Sequence, residues 1–417
     1  MRDERNLYVD MLKDILCDNA SFSVLKNDMR INNKSFFNML FMTVFRQLTF
    51  IKKDVLSCFV KKKIPNKQKV LEFILYLGAT EILFLDSACY AVINSYVEIA
   101  KRKTDKFGAN FVNAILRNIS RQKDELLKNR KSGTFSDDFI KILKKDYSIA
   151  EIKKMEEFAN IEPMLDLSIK PNKNINFDNA ILLDFGTIRL PSNTKVTELN
   201  GFNDGDFWVQ DASSSLAVKA LNNLEGKNVL DLCAAPGGKT AQLLSMGAWV
   251  TAVDISQSRL DLLKENIKRL KLEKKLKIIC SDAVYFESDE KFDIILVDAP
   301  CSATGTYRRH PEIIHTKKFS DVEKMARIQK EILEKASYLL KPDGIIVYAT
   351  CSLSKDEGER QILDFIKNHN NYSIIPIDIK GTTNMLTKEG FLRILPQNLK
   401  KFSGTDGFFV ACLQRKN

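Results

Sequence analysis

Up to Lys145, apolar positions recur at helical spacing. Leu7, Met11, Leu12, Ile15 and Leu16 share one face, and Phe37, Leu40, Phe41, Val44, Phe45 and Leu48 repeat the three-and-four pattern. Further helices are expected over Lys67–Leu77, Glu81–Leu85, Ala88–Arg102 and Asn110–Ser120. Breaks are expected at Ile64-Pro-Asn66, Gly78 and Phe107-Gly108. Strand-like alternation is missing here, so the pattern predicts an all-α bundle. The most apolar run, Val70–Leu85, is interrupted by Glu72 and Glu81 and falls short of the ~18–20 residues of a membrane span. It reads as core helices.

Lys131-Ser-Gly-Thr-Phe135 reads as a linker, with amphipathic helices following to Asn160. From Met164 the pattern changes to short strands, expected over Leu165–Ile169, Ile181–Leu183, Thr187–Leu190 and Phe207–Gln210. From Ala212, strands and helices alternate. Strands fit Asn228–Leu232, Trp249–Asp254, Lys277–Cys280, Asp293–Asp298 and Gly344–Ala349; helices fit Lys239–Met246, Ser258–Leu270 and Asp321–Leu339. That rhythm predicts an α/β fold with a doubly wound, Rossmann-like parallel sheet. Phe391–Leu395 and Gly407–Leu413 add a late antiparallel hairpin, expected at one edge. The expected organisation is an all-α domain over 1–135, linker helices and a small α+β domain over 136–211, and an α/β domain over 212–417.

Composition narrows the setting. The 417 residues are 44% hydrophobic and 28% charged, which excludes a mainly disordered chain. The net charge of +11 is unevenly placed: residues 1–150 hold 27 Lys+Arg against 17 Asp+Glu, and the remainder 37 against 36. A basic end on a nearly neutral remainder points to a polyanion-binding module. Lys61–Lys63 and Lys101–Lys106 are its densest clusters. Eight cysteines without a Cys-x-x-Cys pair argue against a disulfide framework or a zinc ribbon. With no cleavage-site pattern after Met1-Arg-Asp-Glu4, a cytoplasmic protein is expected.

The most informative segment is Val229-Leu-Asp-Leu-Cys-Ala-Ala-Pro-Gly-Gly-Lys-Thr240, a buried strand, a Gly-rich turn and a helix start. Such a turn lets backbone approach a ligand closely. It is not a P-loop, because Cys233 stands where the first glycine is needed, and it lacks the Gly-x-Gly-x-x-Gly dinucleotide fingerprint. Asp254 ends the next strand, where a carboxylate accepts ribose hydroxyls. Asp282 follows the third strand, placed to reach an adenine amino group, and Asp298 ends the fourth. Acidic residues at successive strand ends, without a phosphate-binding fingerprint, suit S-adenosylmethionine.

Two cysteines also stand at strand ends, in Asp298-Ala-Pro-Cys-Ser302 and Ala349-Thr-Cys-Ser352. If those strands are neighbours, Cys301 and Cys351 face one cleft. A metal pair is disfavoured, since no Cys or His lies at ligand spacing. Methylating carbon 5 of a pyrimidine calls for a thiolate, which adds at carbon 6 and makes carbon 5 nucleophilic. An ordinary thiol is only a few per cent ionised at pH 7, a handicap of ~2 kcal/mol that a nearby cation or helix N-terminus can reduce. On this reasoning either cysteine is eligible.

Leu232-Cys-Ala-Ala-Pro-Gly-Gly-Lys239, Asp298-Ala-Pro-Cys-Ser302, Arg308-Arg-His-Pro311 and Thr350-Cys-Ser352 closely resemble the RsmB/Sun-type small-subunit rRNA cytosine-C5 methyltransferases. Phe111-Val-Asn-Ala-Ile-Leu-Arg-Asn118 and the helices before it are similar to a NusB-like RNA-binding domain, and Trp208–Ser213 and Thr405–Phe409 also match. The resemblance covers essentially the whole chain. It implies that Cys233, Ala234, Ala235, Pro236, Gly237, Gly238, Lys239, Asp254, Asp282 and Asp298 line the S-adenosylmethionine site, with Asp298 also near the base. It implies that Cys351 is the nucleophile, that Cys301 assists release of the adduct, and that Lys239 bridges cofactor and substrate. Arg308, Arg309 and His310 are expected to meet phosphates or stacked bases of 16S rRNA. A monomer is expected. One departure is His315-Thr316, where relatives often carry aromatic residues.

Overall fold

The computed structural model describes residues 4–18 and 20–416; Met1–Asp3, on which the reading of the extreme N-terminus partly rests, lie outside them. It divides into two compact units, Met1–Lys141 with His310–Lys317, and Ile142–Arg309 with Lys318–Asn417.

The first unit is helical, its main helices being Arg5–Asp18, Lys34–Phe50, Val70–Phe84, Cys89–Lys103 and Lys106–Arg121. The apolar faces seen in the sequence form one core, in which Tyr8, Phe22, Phe37, Phe41 and Phe45 stack with ring centroids 4.2–6.1 Å apart. Two expected breaks are corrected. Val70–Phe84 runs straight through Gly78, where an added Cβ would stand 2.9 Å from Leu116. This glycine lets the helix Lys106–Arg121 pack closely. Phe107 and Gly108 lie in the first turn of that helix, where the Gly108 N–H donates to the capping Asp105 Oδ1 at 2.8 Å. Glu81 is fully buried, its charge met by Arg5 at 2.9 and 2.8 Å and by the Tyr96 hydroxyl at 2.5 Å.

The expected linker is tied down. The Asp54 carboxylate accepts the Lys131 and Ser132 N–H groups, each at 2.7 Å, and Phe135 is buried. The short helix Ile313–Thr316 also belongs to this unit. His315 is enclosed there, with Nε2 2.6 Å from the Phe45 carbonyl oxygen.

The second unit holds two sheets. Leu165–Ile169 (β1), Ile181–Leu182 (β2), Ile188–Leu190 (β3) and Phe207–Val209 (β4) form a small antiparallel sheet in the order β2-β3-β1-β4. Asn228–Leu232 (β5), Trp249–Asp254 (β6), Leu276–Cys280 (β7), Phe292–Asp298 (β8) and Leu340–Thr350 (β9) are the parallel strands of the large sheet. Tyr372–Ile375 (β10), Leu392–Ile394 (β11) and Phe408–Arg415 (β12) complete it. The order is β10-β12-β9-β8-β5-β6-β7, with β11 also on β12. β5 and β8 are interior and mostly buried, their apolar residues packed on both faces of the sheet. β11 and β12 do pair antiparallel, but β12 is not an edge strand: it pairs with β9 over Phe409–Gln414 and with β10 on its other side. β9 begins at Leu340, ahead of the expected Gly344, because a register shift against β8 absorbs Lys341-Pro-Asp-Gly344. No helix among the described residues is long and apolar enough to cross a membrane.

Burial holds the His315 imidazole down to about 3, below its ordinary 6.5, so the unfolded chain binds a proton more readily than the folded one. The stability tied to neutral His315 is complete above about pH 6.5 and is lost progressively as pH falls toward 3. His315→Gln, whose amide can still donate to the Phe45 carbonyl, is expected to flatten the decline of the thermal midpoint between pH 6.5 and 5. Calorimetry of both proteins across that range checks this, and identical slopes would contradict it.

Candidate active site

β5 ends in a turn that only particular backbone conformations allow. Cys233 has φ 60° and Gly237 φ 100°, and a Cβ on Gly237 would lie 2.7 Å from the Leu263 side chain. The helix Gly238–Ser245 starts at once. Asp254, at the end of β6, is buried and accepts the N–H groups of Ala235 at 3.1 Å and Ser256 at 3.0 Å. The β5 turn is thereby tied to the neighbouring strand end. Asp282 accepts the Val284 N–H at 2.9 Å in the turn after β7.

Asp231, inside β5, is fully buried. The Thr240 hydroxyl donates to one oxygen at 2.6 Å, and the other has no protein partner. Burial pushes its carboxyl up to about 7, and the charges of Asp298 and Asp254 add to this. Three carboxylates thus feel one another around the strand ends, a field that favours a cationic ligand.

Beside them lies a cavity of about 290 Å³, lined among others by Gln210, Pro236, Lys239, Asp298, Cys351 and Phe408. The Lys239 ammonium is 2.6 Å from Asp298 Oδ2 and 5.1 Å from the centre of the Phe408 ring. The two cysteines meet here. Pairing of Asp298 with Ala349 brings β8 and β9 to an end at one level, and Cys301 Sγ lies 3.2 Å from Cys351 Sγ. Gly305 and Gly407 close the loops over this point. The Gly305 N–H donates to the Cys351 carbonyl and the Gly407 N–H to the Gly305 carbonyl, each at 2.9 Å, and a Cβ on Gly305 would collide with Gly407. Contact with Cys351, then burial, raises the Cys301 thiol well above its ordinary value, so Cys301 keeps its proton. Of the two thiols, Cys351 lines the cavity. A larger surface groove of about 560 Å³ beside Lys145, Asp356 and Arg360 is crossed by ion pairs among those residues and offers no nucleophile.

The expected RNA-contact residues divide. Arg308 is 1% exposed, donates to the Ser403 carbonyl and lies 5.9 Å from the Phe158 ring centre. Arg309 pairs with Asp211 at 2.8 Å and Asp406 at 2.9 Å. Both guanidinium groups make their hydrogen bonds and ion pairs inside the unit, and Arg309 keeps part of its side chain exposed. His310 keeps an exposed side chain, 3.5 Å from Glu312. Sequence reasoning gave no roles to Gln210, Asp211, Asp406 and Phe408, although all four line the cavity. The signal lay in Trp208–Ser213 and Thr405–Phe409, noted only as matching segments.

Residues 218–414 match the family model "16S rRNA methyltransferase RsmB/F" and residues 2–121 match the NusB family. A ribosomal RNA small subunit methyltransferase B from Enterobacter sp. is 32% identical over 86% of this chain and 86% of its own length. One from Vibrio cholerae is 30% identical over 90% and 88%. The crystal structure of PH0851 shares the fold across the full chain, with a TM-score of 0.75 and 21% identity, covering 99% of that protein. A methyltransferase homologue from Pyrococcus horikoshii, 25% identical, covers 67% of this chain and 99% of its own at a TM-score of 0.54. With relatives at this identity matching along most of their length, the chain belongs to the ribosomal RNA small subunit methyltransferase B family, a NusB-type helical domain joined to an RsmB/F-type methyltransferase domain.

Proposed function

We propose that this protein transfers a methyl group from S-adenosylmethionine to carbon 5 of a cytosine in 16S rRNA, in the cytoplasm, through a covalent adduct on Cys351. The observation that carries the reading is Cys351 in the wall of a cavity shared with Lys239 and Asp298, its sulfur 3.2 Å from that of Cys301. The names of the relatives support the RNA substrate.

The residues present fit the cofactor. Asp231 leaves an oxygen unpartnered beside Asp254 and Asp298, and the turn Cys233–Lys239 offers close backbone approach. Cys233, Ala234, Ala235, Pro236, Gly237, Gly238 and Lys239 would hold S-adenosylmethionine together with Asp254, Asp282 and Asp298. When bound, it supplies a sulfonium-activated methyl group. The Cys351 thiolate adds to carbon 6 of the base, and the electrons displaced make carbon 5 the nucleophile. Lys239, ion-paired with Asp298, would stand where base and cofactor meet. After methyl transfer the carbon-5 proton passes to water, and the electrons of that bond re-form the carbon 5–carbon 6 double bond as the carbon 6–sulfur bond breaks. Cys301, still protonated, can share its proton with the departing sulfur.

The base must leave its stack to reach this cavity, as single-stranded RNA permits. The basic helical unit, with Lys61–Lys63 exposed, supplies sequence-independent attraction for phosphates, and the exposed His310 adds an RNA contact. An amino-group methyltransferase would present Asn/Asp-Pro-Pro-Tyr/Phe for stacking, whereas Asp298-Ala-Pro-Cys301 presents a thiol.

Cys351→Ala is expected to abolish methyl transfer to unmethylated small-subunit rRNA while S-adenosylmethionine still binds in calorimetry; full activity would remove the nucleophile. Cys301→Ala is expected to accumulate a protein–RNA adduct, seen as a slow band in a denaturing gel. Normal turnover without that band would leave Cys301 no part in release.

A further inference from the structure

Each cysteine is followed by a serine, Ser302 after Cys301 and Ser352 after Cys351. Neither serine lines the cavity that Cys351 faces. Both serines are fully buried, and both converge on one group, the carboxylate of Glu357, itself fully buried. Glu357 Oε2 accepts the Ser302 and Ser352 hydroxyls, each at 2.5 Å. Oε1 accepts the Ser302 N–H at 2.8 Å and the Gln329 amide at 3.0 Å. A single oxygen atom therefore bridges the residues that follow the two thiols.

The surroundings hold this carboxylate still. Its backbone carbonyl accepts the hydroxyls of Tyr348 and Thr350, both at 3.1 Å, which fixes it to β9. The Gln329 amide also donates to the Pro300 carbonyl at 2.9 Å, one residue before Cys301. The Ser352 carbonyl accepts from Arg393 at 2.6 Å, and Arg393 is held in turn by Glu359. A carboxylate removed from water persists where every oxygen is supplied with donors, and here four converge on it.

We propose that Glu357 is a positioning residue: by bridging Ser302 and Ser352 it fixes the Cys301–Cys351 pair at the separation that attack and release of the base require. Glu357 does not line the cavity, so it acts through the two loops. The inference rests on the reading that Cys351 forms the adduct. A covalent attack depends steeply on the placement of its nucleophile, and a shift of about 1 Å can lower the rate about 100-fold.

Glu357→Gln keeps size and one acceptor oxygen but turns an amide N–H₂ group toward donors. It is expected to lower kcat about 10- to 100-fold, with KM for S-adenosylmethionine and for rRNA within about twofold of wild type. Added to Cys301→Ala, it should slow the appearance of the protein–RNA band without abolishing it. Ser352→Ala, which removes one donor and leaves the carboxylate, is the milder second variant and should lower kcat several-fold. Unchanged kcat in both variants overturns the positioning role. So does a loss of kcat matched by equal losses in cofactor affinity and thermal midpoint, since that describes a structural defect alone. If wild type makes no 5-methylcytosine, or Cys351→Ala keeps full activity, the underlying covalent reading fails instead, and the two failures are distinct.

Discussion

The site depends on the parallel pairing of β8 with β9. Asp298 stands opposite Ala349, so the chain leaves both strands at the same height and turns into two loops side by side. Fifty positions of sequence separate Cys301 from Cys351, yet that register brings their loops together and their sulfurs are 3.2 Å apart. A slip of one residue would turn each side chain to the opposite face of the sheet. Wide burial on both faces holds the register, with Ile295, Leu296 and Val297 of β8 and Ile346, Val347 and Tyr348 of β9 all enclosed. Gly305 and Gly407 then let the loop after β8 and the chain entering β12 close over the same point.

Electrostatics divides the labour of the chain. The crevice at the ends of β5, β6 and β8 gathers Asp231, Asp254 and Asp298 with Lys239 as a direct partner of Asp298, an environment suited to a cation. The first 150 residues carry the opposite bias, with 27 Lys+Arg against 17 Asp+Glu. A sulfonium and a polyanion make contrary demands on charge, and the two biases lie in different regions of the chain.

Much of this was legible in the sequence for a simple physical reason. β5 and β8 lie covered on both faces, so they read as short apolar runs, and the Gly-rich turn after β5 reads as punctuation between strand and helix. Gly78 and Gly108 misled, because a glycine within a helix reads as a break until the side chains packed against it are known. β12 read as an edge strand, because sequence order says nothing about insertion between β9 and β10. Arg308 and Arg309 read as an exposed basic pair because their partners, Ser403, Asp211 and Asp406, lie about 100 positions away. Glu357 left no sequence signal at all, since its bonds to Ser302 and Gln329 cross the fold. The residues alone left both cysteines eligible; the family resemblance pointed to Cys351, and it is Cys351 that lines the cavity.

The central claim is that Cys351 activates carbon 5 of cytosine, and carbon 5 must then lose its hydrogen. Small-subunit rRNA labelled with tritium at carbon 5 of cytosine tests this directly, with wild-type protein and S-adenosylmethionine. One tritium is expected in water for each methyl group incorporated, and neither event with Cys351→Ala. Methyl incorporation with the tritium retained would place the methyl group elsewhere on the nucleotide and contradict the account.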